Sequence, residues 1–146
     1  MSELALIADR RFLIVDDDPL VLASSEERLV RAEATAFTAE NIAQALRLAE
    51  EEQPDFVLLD ITIGEQVVTA DVVGYFQRAL QTRERRVILH SAVSATELYQ
   101  QAHRLSALGA VQKTGDERIF LHRVSRLIEL SQAIAGGATD RPSIPY

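Results

Sequence analysis

Two four-residue runs, FLIV from Phe12 to Val15 and FVLL from Phe56 to Leu59, are apolar at every position. A strand with one face in water alternates apolar and polar side chains, so an unbroken run points to a strand covered on both faces. Strands of that kind belong to parallel sheets sandwiched between helices. Weaker runs continue the series: ATAF (Ala34 to Phe37), VIL (Val87 to Leu89) and the pair Ala110-Val111.

Amphipathic segments fill the gaps between these runs. Asp18 caps a helix with Pro19 at its first position, running to about Arg31. Ile42, Ala45, Leu46 and Ala49 recur at helical spacing in the second. The third carries Val72, Val73, Phe76, Ala79 and Leu80, with Thr69 as its cap. The fourth opens on Ser94 and Glu97, a capping-box pair, and runs through Leu98, Ala102 and Leu105 to Gly109. The last carries Phe120, Val124, Leu127 and Ile128 and stops at Gly136-Gly137. Strict alternation of five strands and five helices predicts an α/β fold, a doubly wound five-stranded parallel sheet with helices on both faces. We divide the chain into an N-terminal extension (1–10), one domain (11–135) and a flexible C-terminal tail (136–146), too short for an output domain.

Composition narrows the function. The 22 acidic against 15 basic side chains leave a net charge of −7, which repels nucleic acid. No cysteine is present, so disulfides and thiolate metal sites are excluded. The start lacks the pattern of a secretory leader, and no run approaches the roughly 20 apolar residues that span a bilayer. The expectation is a cytoplasmic protein that engages neither nucleic acid nor membrane.

Polar residues follow the apolar runs in a telling way. The first run ends in Asp16-Asp17-Asp18, the third in Asp60, the fourth in His90-Ser91, and the fifth leads to Lys113. Open parallel sheets bind ligands beyond the carboxyl ends of their strands, so these groups converge on one edge. Clustered carboxylates repel unless a cation lies among them, and a hard divalent ion such as Mg²⁺ suits oxygen ligands beside phosphate. Such an ion and Lys113 would neutralise a phosphoryl group in transfer to a carboxylate nucleophile.

With these motifs, RFLIVDDDPLVL, QPDFVLLD, VILHSA and the lysine after the fifth strand, the chain resembles the response-regulator receiver family from about Arg11 to Leu130. The resemblance implies a flavodoxin-like, receiver-type sheet of order 2-1-3-4-5. It implies a stand-alone signalling domain of a two-component system, not a conventional enzyme, that promotes its own phosphorylation and dephosphorylation. Asp60 would be the phosphoacceptor, supplied by a histidine kinase or a histidine phosphotransfer protein. Asp16, Asp17, Asp60 and the backbone carbonyl of Thr62 would hold Mg²⁺. Ser91, Ala92 and Lys113 would bind the phosphoryl group and switch. A downstream protein would dock on the face of the fourth helix, fifth strand and fifth helix, to which Leu98, Tyr99, His103, Ile119 and His122 are candidates to contribute, and a homodimer is a further possibility.

The sequence departs from that family at several positions. The loop after Asp60 lacks the family's Met-Pro and is about six residues longer if Gly74 matches the family glycine. Thr114 replaces the proline after Lys113, and a cis bond there would cost about 2.5–4 kcal/mol, so a trans bond is expected. Ala110 stands at the switch aromatic position. Val93, unable to position a water by hydrogen bonding, predicts a long-lived phosphoryl group. Two other readings remain open. One is a pseudo-receiver acting as a phosphorylation-independent interaction module. The other is a small haloacid-dehalogenase-like phosphatase with Asp16 as nucleophile and Asp18 as acid. Alternation turns His90 away from Ser91, while His103 and His122 read as surface residues. Glu50 to Glu52 read as a solvated helix end, and Arg83 to Arg86 as an exposed loop.

Overall fold

The structure, a computed structural model, describes residues 2–136. Helix α1 (Glu3–Ile7) and strand β1 (Arg11–Val15) open the chain, followed by α2 (Pro19–Arg31), β2 (Thr35–Ala39), α3 (Ile42–Glu52) and β3 (Phe56–Leu59). A hairpin of β4 (Thr62–Ile63) and β5 (Gln66–Val67) comes next. Then follow α4 (Ala70–Ala79), β6 (Val87–Ser91), α5 (Ala95–Arg104), β7 (Gly109–Gln112) and α6 (Glu117–Ala135).

The main sheet is parallel throughout, in the order β2-β1-β3-β6-β7. Counted along its own five strands this is the expected order 2-1-3-4-5. Every residue of β3 and β6 is buried, as the unbroken apolar runs require. Side chains alternate between two cores. Phe12, Ile14, Phe56, Leu58 and Ile88 pack under α1, α2 and α6. Leu13, Val15, Val57, Leu59 and Leu89 pack under α3, α4 and α5.

Local chemistry sets the helix starts. Asp18 accepts from Leu20 N–H with Pro19 at the first position, and Thr69, Ser94 and Asp116 cap α4, α5 and α6 through their side chains. Each cap contributes about 1 kcal/mol by satisfying amides that no helical carbonyl can reach.

Several expectations are corrected. The fourth predicted helix ends at Arg104 rather than Gly109: Ser106 takes a positive φ of 58°, and Gly109 is the first residue of β7. The second strand runs from Thr35 to Ala39, not Ala34 to Phe37. The N-terminal extension contains α1, whose Leu6 and Ile7 are buried in the core shared with α6. In the 83–86 loop only Arg83 is exposed; the Arg86 guanidinium stacks over Phe56 and bonds Glu84. The peptide bond before Thr114 is trans, as expected. The predicted tail falls, beyond Gly136, outside the described residues. Among the described residues no helix is long and apolar enough to cross a membrane.

Candidate functional site

The order of the sheet reverses between β1 and β3, and the candidate residues lie beyond the carboxyl ends of the strands there. Ladder bonds run one residue past the strands and fix them. Asp16 N–H donates to Ala39 O at 3.1 Å, Asp60 N–H to Val15 O at 3.1 Å, and Lys113 N–H to Ser91 O at 2.8 Å.

Asp16, Asp17 and Asp60 each bring a carboxylate oxygen within 4.8 Å of the others. Asp16 is 1% exposed, Asp60 8%, and Asp17 faces solvent. The Lys113 ammonium lies 2.7 Å from Asp16 Oδ2 and donates to Asp60 Oδ2 at 3.1 Å. Asp16 Oδ1 accepts from Asp18 N–H at 2.9 Å, which ties the acidic turn to the start of α2. Burial pushes the Asp60 carboxyl pKa up, against the opposing pull of the Lys113 hydrogen bond and charge. Burial lowers the Lys113 pKa, but the Asp16 and Asp60 carboxylates beside it outweigh that and leave it raised. The ammonium thus stays charged between two carboxylates.

The same cluster suits a hard divalent cation. All its donors are oxygens, as Mg²⁺ and Ca²⁺ prefer. Asp16 Oδ2 is buried and is paired with the lysine charge at 2.7 Å without a hydrogen bond of its own. That oxygen keeps coordinating capacity.

The segment after Asp60, expected as a long loop, is a hairpin. Thr62 pairs with Val67 and Ile63 with Gln66, leaving Gly64-Glu65 as a two-residue turn with Gly64 at φ +63°. Ile63 and Val68 are buried and anchor the hairpin in the core under α4. Gly64 N–H donates to Asp17 Oδ2 at 2.9 Å, and Thr62 N–H makes a long contact of 3.5 Å with Asp60 Oδ1. A signal was present: β-branched residues flank a glycine at the spacing of a two-residue hairpin.

The other predicted residues fall around this centre. Ser91 is 5% exposed, and its Oγ accepts from Val93 N–H at 3.4 Å, while Ala92 is exposed. The Val93 carbonyl accepts from the Gln112 side chain at 3.0 Å, joining the loops after β6 and β7. Ala110 is buried and lines a small pocket with Ala95, Leu98, Tyr99, Gln112 and Arg123. Leu98 is 1% exposed, so it belongs to the core rather than to a docking face; Ile119, His103 and His122 are exposed. His90 turns away from Ser91, into the opposite core, with its ring edge-on to Phe120 at 5.7 Å. Arg28 on α2 donates to Thr114 O at 2.8 Å and stacks over Phe120. No sequence pattern marks that contact, because the partners are 86 residues apart.

Comparison with known proteins bears on the family and the fold. Residues 12–125 match the family described as the response regulator receiver domain. The transcriptional regulatory protein PrrA of Mycobacterium tuberculosis is 44% identical over 68 residues, covering 44% of this chain and 29% of that protein. The chain thus spans under a third of this curated relative's length. The chemotaxis protein CheY4 of Vibrio cholerae superposes with a TM-score of 0.70 at 18% identity, covering 82% of this chain and 99% of CheY4. NtrX from Brucella abortus gives 0.75 at 21% identity, over 87% of this chain and 28% of NtrX.

Proposed function

The chain belongs to the response regulator receiver domain family, and from that premise we propose that Asp60 accepts a phosphoryl group from a phosphohistidine in a Mg²⁺-dependent reaction. The observation that carries the reading is the Lys113 ammonium held between Asp16 and Asp60 at the carboxyl ends of the central strands. A carboxylate there has a cation 3.1 Å away to meet the incoming negative charge.

In this reading a carboxylate oxygen of Asp60 attacks phosphorus, the new O–P bond forms, and the P–N bond to the donor imidazole breaks. The imidazole leaves with the electron pair of that bond and takes a proton. Asp16, Asp17, Asp60 and the Thr62 carbonyl hold Mg²⁺, which supplies charge neutralisation to the phosphoryl oxygens when bound. Lys113 pairs with one phosphoryl oxygen. Ser91 turns its hydroxyl from Val93 N–H toward another, and the exposed Ala92 leaves the approach open. The donor is a histidine kinase or a histidine phosphotransfer protein, and the chain works as a stand-alone cytoplasmic module. Output runs by protein contact across α5, β7 and α6, with a homodimer as one form.

The competing reading, a phosphorylation-independent module, draws on Ala110, buried where a switch ring would stand. Family membership gives no support to the phosphatase reading. The test is intact-mass analysis after incubation with Mg²⁺ and a small-molecule phosphodonor. A base-labile phosphoryl adduct, absent from Asp60→Asn, is the expected result. No adduct with a small donor or with any cognate kinase leaves the interaction module standing instead.

A further inference from the structure

The hairpin after Asp60 has one edge inside the pair and one edge outside it. Val68 N–H donates to Ile61 O at 2.8 Å, which fixes the parity of the antiparallel ladder. Bonded and non-bonded pairs alternate, so Ile63 and Gln66 bond each other, while Thr62 and Val67 do not. The amide and carbonyl of Thr62 therefore lie on the outer edge of β4. Gly64 N–H, two residues on, lies on the same edge. That edge faces the acidic cluster: Thr62 N–H approaches Asp60 Oδ1, and Gly64 N–H holds Asp17 Oδ2.

We propose that the β4–β5 hairpin is a positioning element for the divalent cation of this site. It holds the otherwise exposed Asp17 in one rotamer with one oxygen occupied, so that Asp17 offers the ion a single oxygen. The inference rests on the phosphoryl-acceptor reading only for the presence of the cation. Its consequence is selectivity. Mg²⁺ takes six ligands in near-ideal octahedral array, whereas Ca²⁺ accepts bidentate carboxylates and higher coordination. The amide takes one lone pair of Asp17 Oδ2 and fixes the direction of the carboxylate, which disfavours the bidentate mode that Ca²⁺ uses, so the hairpin favours the smaller ion. The core contacts of Ile63 and Val68 make this grip rigid, and the positive φ of Gly64 makes the turn depend on that residue.

Gly64 also allows a clean perturbation. A Cβ built there meets nothing within 4 Å, so a substitution acts through backbone conformation alone. A β-branched residue resists positive φ, whereas asparagine tolerates it. Mg²⁺ and Ca²⁺ affinities of the whole chain are measured by titration calorimetry for wild type, Gly64→Val and Gly64→Asn. Loss of a group that orients a metal ligand costs roughly 10- to 100-fold in affinity, and that loss of Mg²⁺ affinity is expected for Gly64→Val. The Mg²⁺/Ca²⁺ ratio should fall with it, and Gly64→Asn should stay close to wild type. A Gly64→Val protein that binds both ions as wild type does overturns the proposal.

A second measurement needs no variant. Hydrogen exchange of the Gly64 amide in the wild type should stay slow, or become slower, on saturation with Mg²⁺. Faster exchange would mean that Asp17 leaves the hairpin to bind the ion, and the proposal fails. If it fails while the Asp60 adduct still forms, the functional reading survives. If the wild type binds no Mg²⁺ and forms no adduct, both fall.

Discussion

His90 allows a worked prediction of stability against pH. Its imidazole is buried against Phe120, and its pKa is lowered to about 3, first by burial and then by the charges of Lys113 and Arg28. In the unfolded chain the group titrates near 6.5. Between those values the unfolded state binds the proton and the folded state does not, so stability rises with pH across this window. The contribution is complete above pH 6.5 and is lost as pH falls toward 3. Going from pH 7 to pH 5, the loss from this one group is about 2 kcal/mol, and it reaches about 5 kcal/mol once both states have titrated. The first figure barely depends on the folded pKa, because the imidazole is neutral in the fold at pH 5 for any value below about 4. The perturbation is His90→Leu, which keeps an apolar side chain of similar reach and removes the titration. Urea unfolding followed by circular dichroism at pH 7, 6 and 5 gives the free energy of each protein. The carboxylates contribute to both proteins, so the difference between them isolates His90. Wild type should lose about 2 kcal/mol relative to the variant between pH 7 and pH 5. A difference that stays flat over this range would falsify the account of a neutral buried imidazole.

Other outcomes follow from the site and its frame. Asp60 has a raised folded pKa, so its ionised form costs stability above that pKa; Asp60→Asn should melt higher than wild type near pH 7, with the gap closing as the solution is acidified. Lys113→Ala leaves Asp16 and Asp60 without their shared cation, and a loss of about 1.5–3 kcal/mol is expected in urea unfolding, partly restored by millimolar Mg²⁺. The same variant should take up phosphoryl groups roughly 100-fold more slowly from a small donor, read by mass against time. Ile7 is fully buried, so Ile7→Ala should cost about 2–5 kcal/mol in the same unfolding assay without altering phosphorylation. Val93 offers no polar atom on its side chain to hold a water, so the Asp60 adduct should outlast seconds; rapid decay in a mass time course would contradict this.

The fold was legible where one local rule decides the outcome. Asp18 before Pro19 starts α2 where capping chemistry puts it, and FVLL forms β3 over the same four residues as its apolar run. Legibility fails where a distant partner decides. The α1 helix has five residues, too few to hold without tertiary support, and forms because Leu6 and Ile7 find the core against α6. Leu105 continues the apolar period of α5, but Ser106 breaks it with a left-handed backbone that its own side chain does not announce. At the site, the strand-end positions of Asp16, Asp60, Ser91 and Lys113 followed from alternation, because a parallel sheet brings all its carboxyl ends to one edge. The contacts of Gly64 with Asp17 and of Arg28 with Thr114 did not, because they depend on register and on packing across many residues.

The outer edge of β4 has a consequence for chain length. Successive amides of a strand point to opposite edges, so one residue added between Asp60 and Thr62 would turn the Thr62 and Gly64 amides away from the carboxylates. Two residues added there would turn them back. Lengthening beyond the turn leaves this parity alone. Insertions in this segment are therefore tolerated by their oddness or evenness rather than by their size.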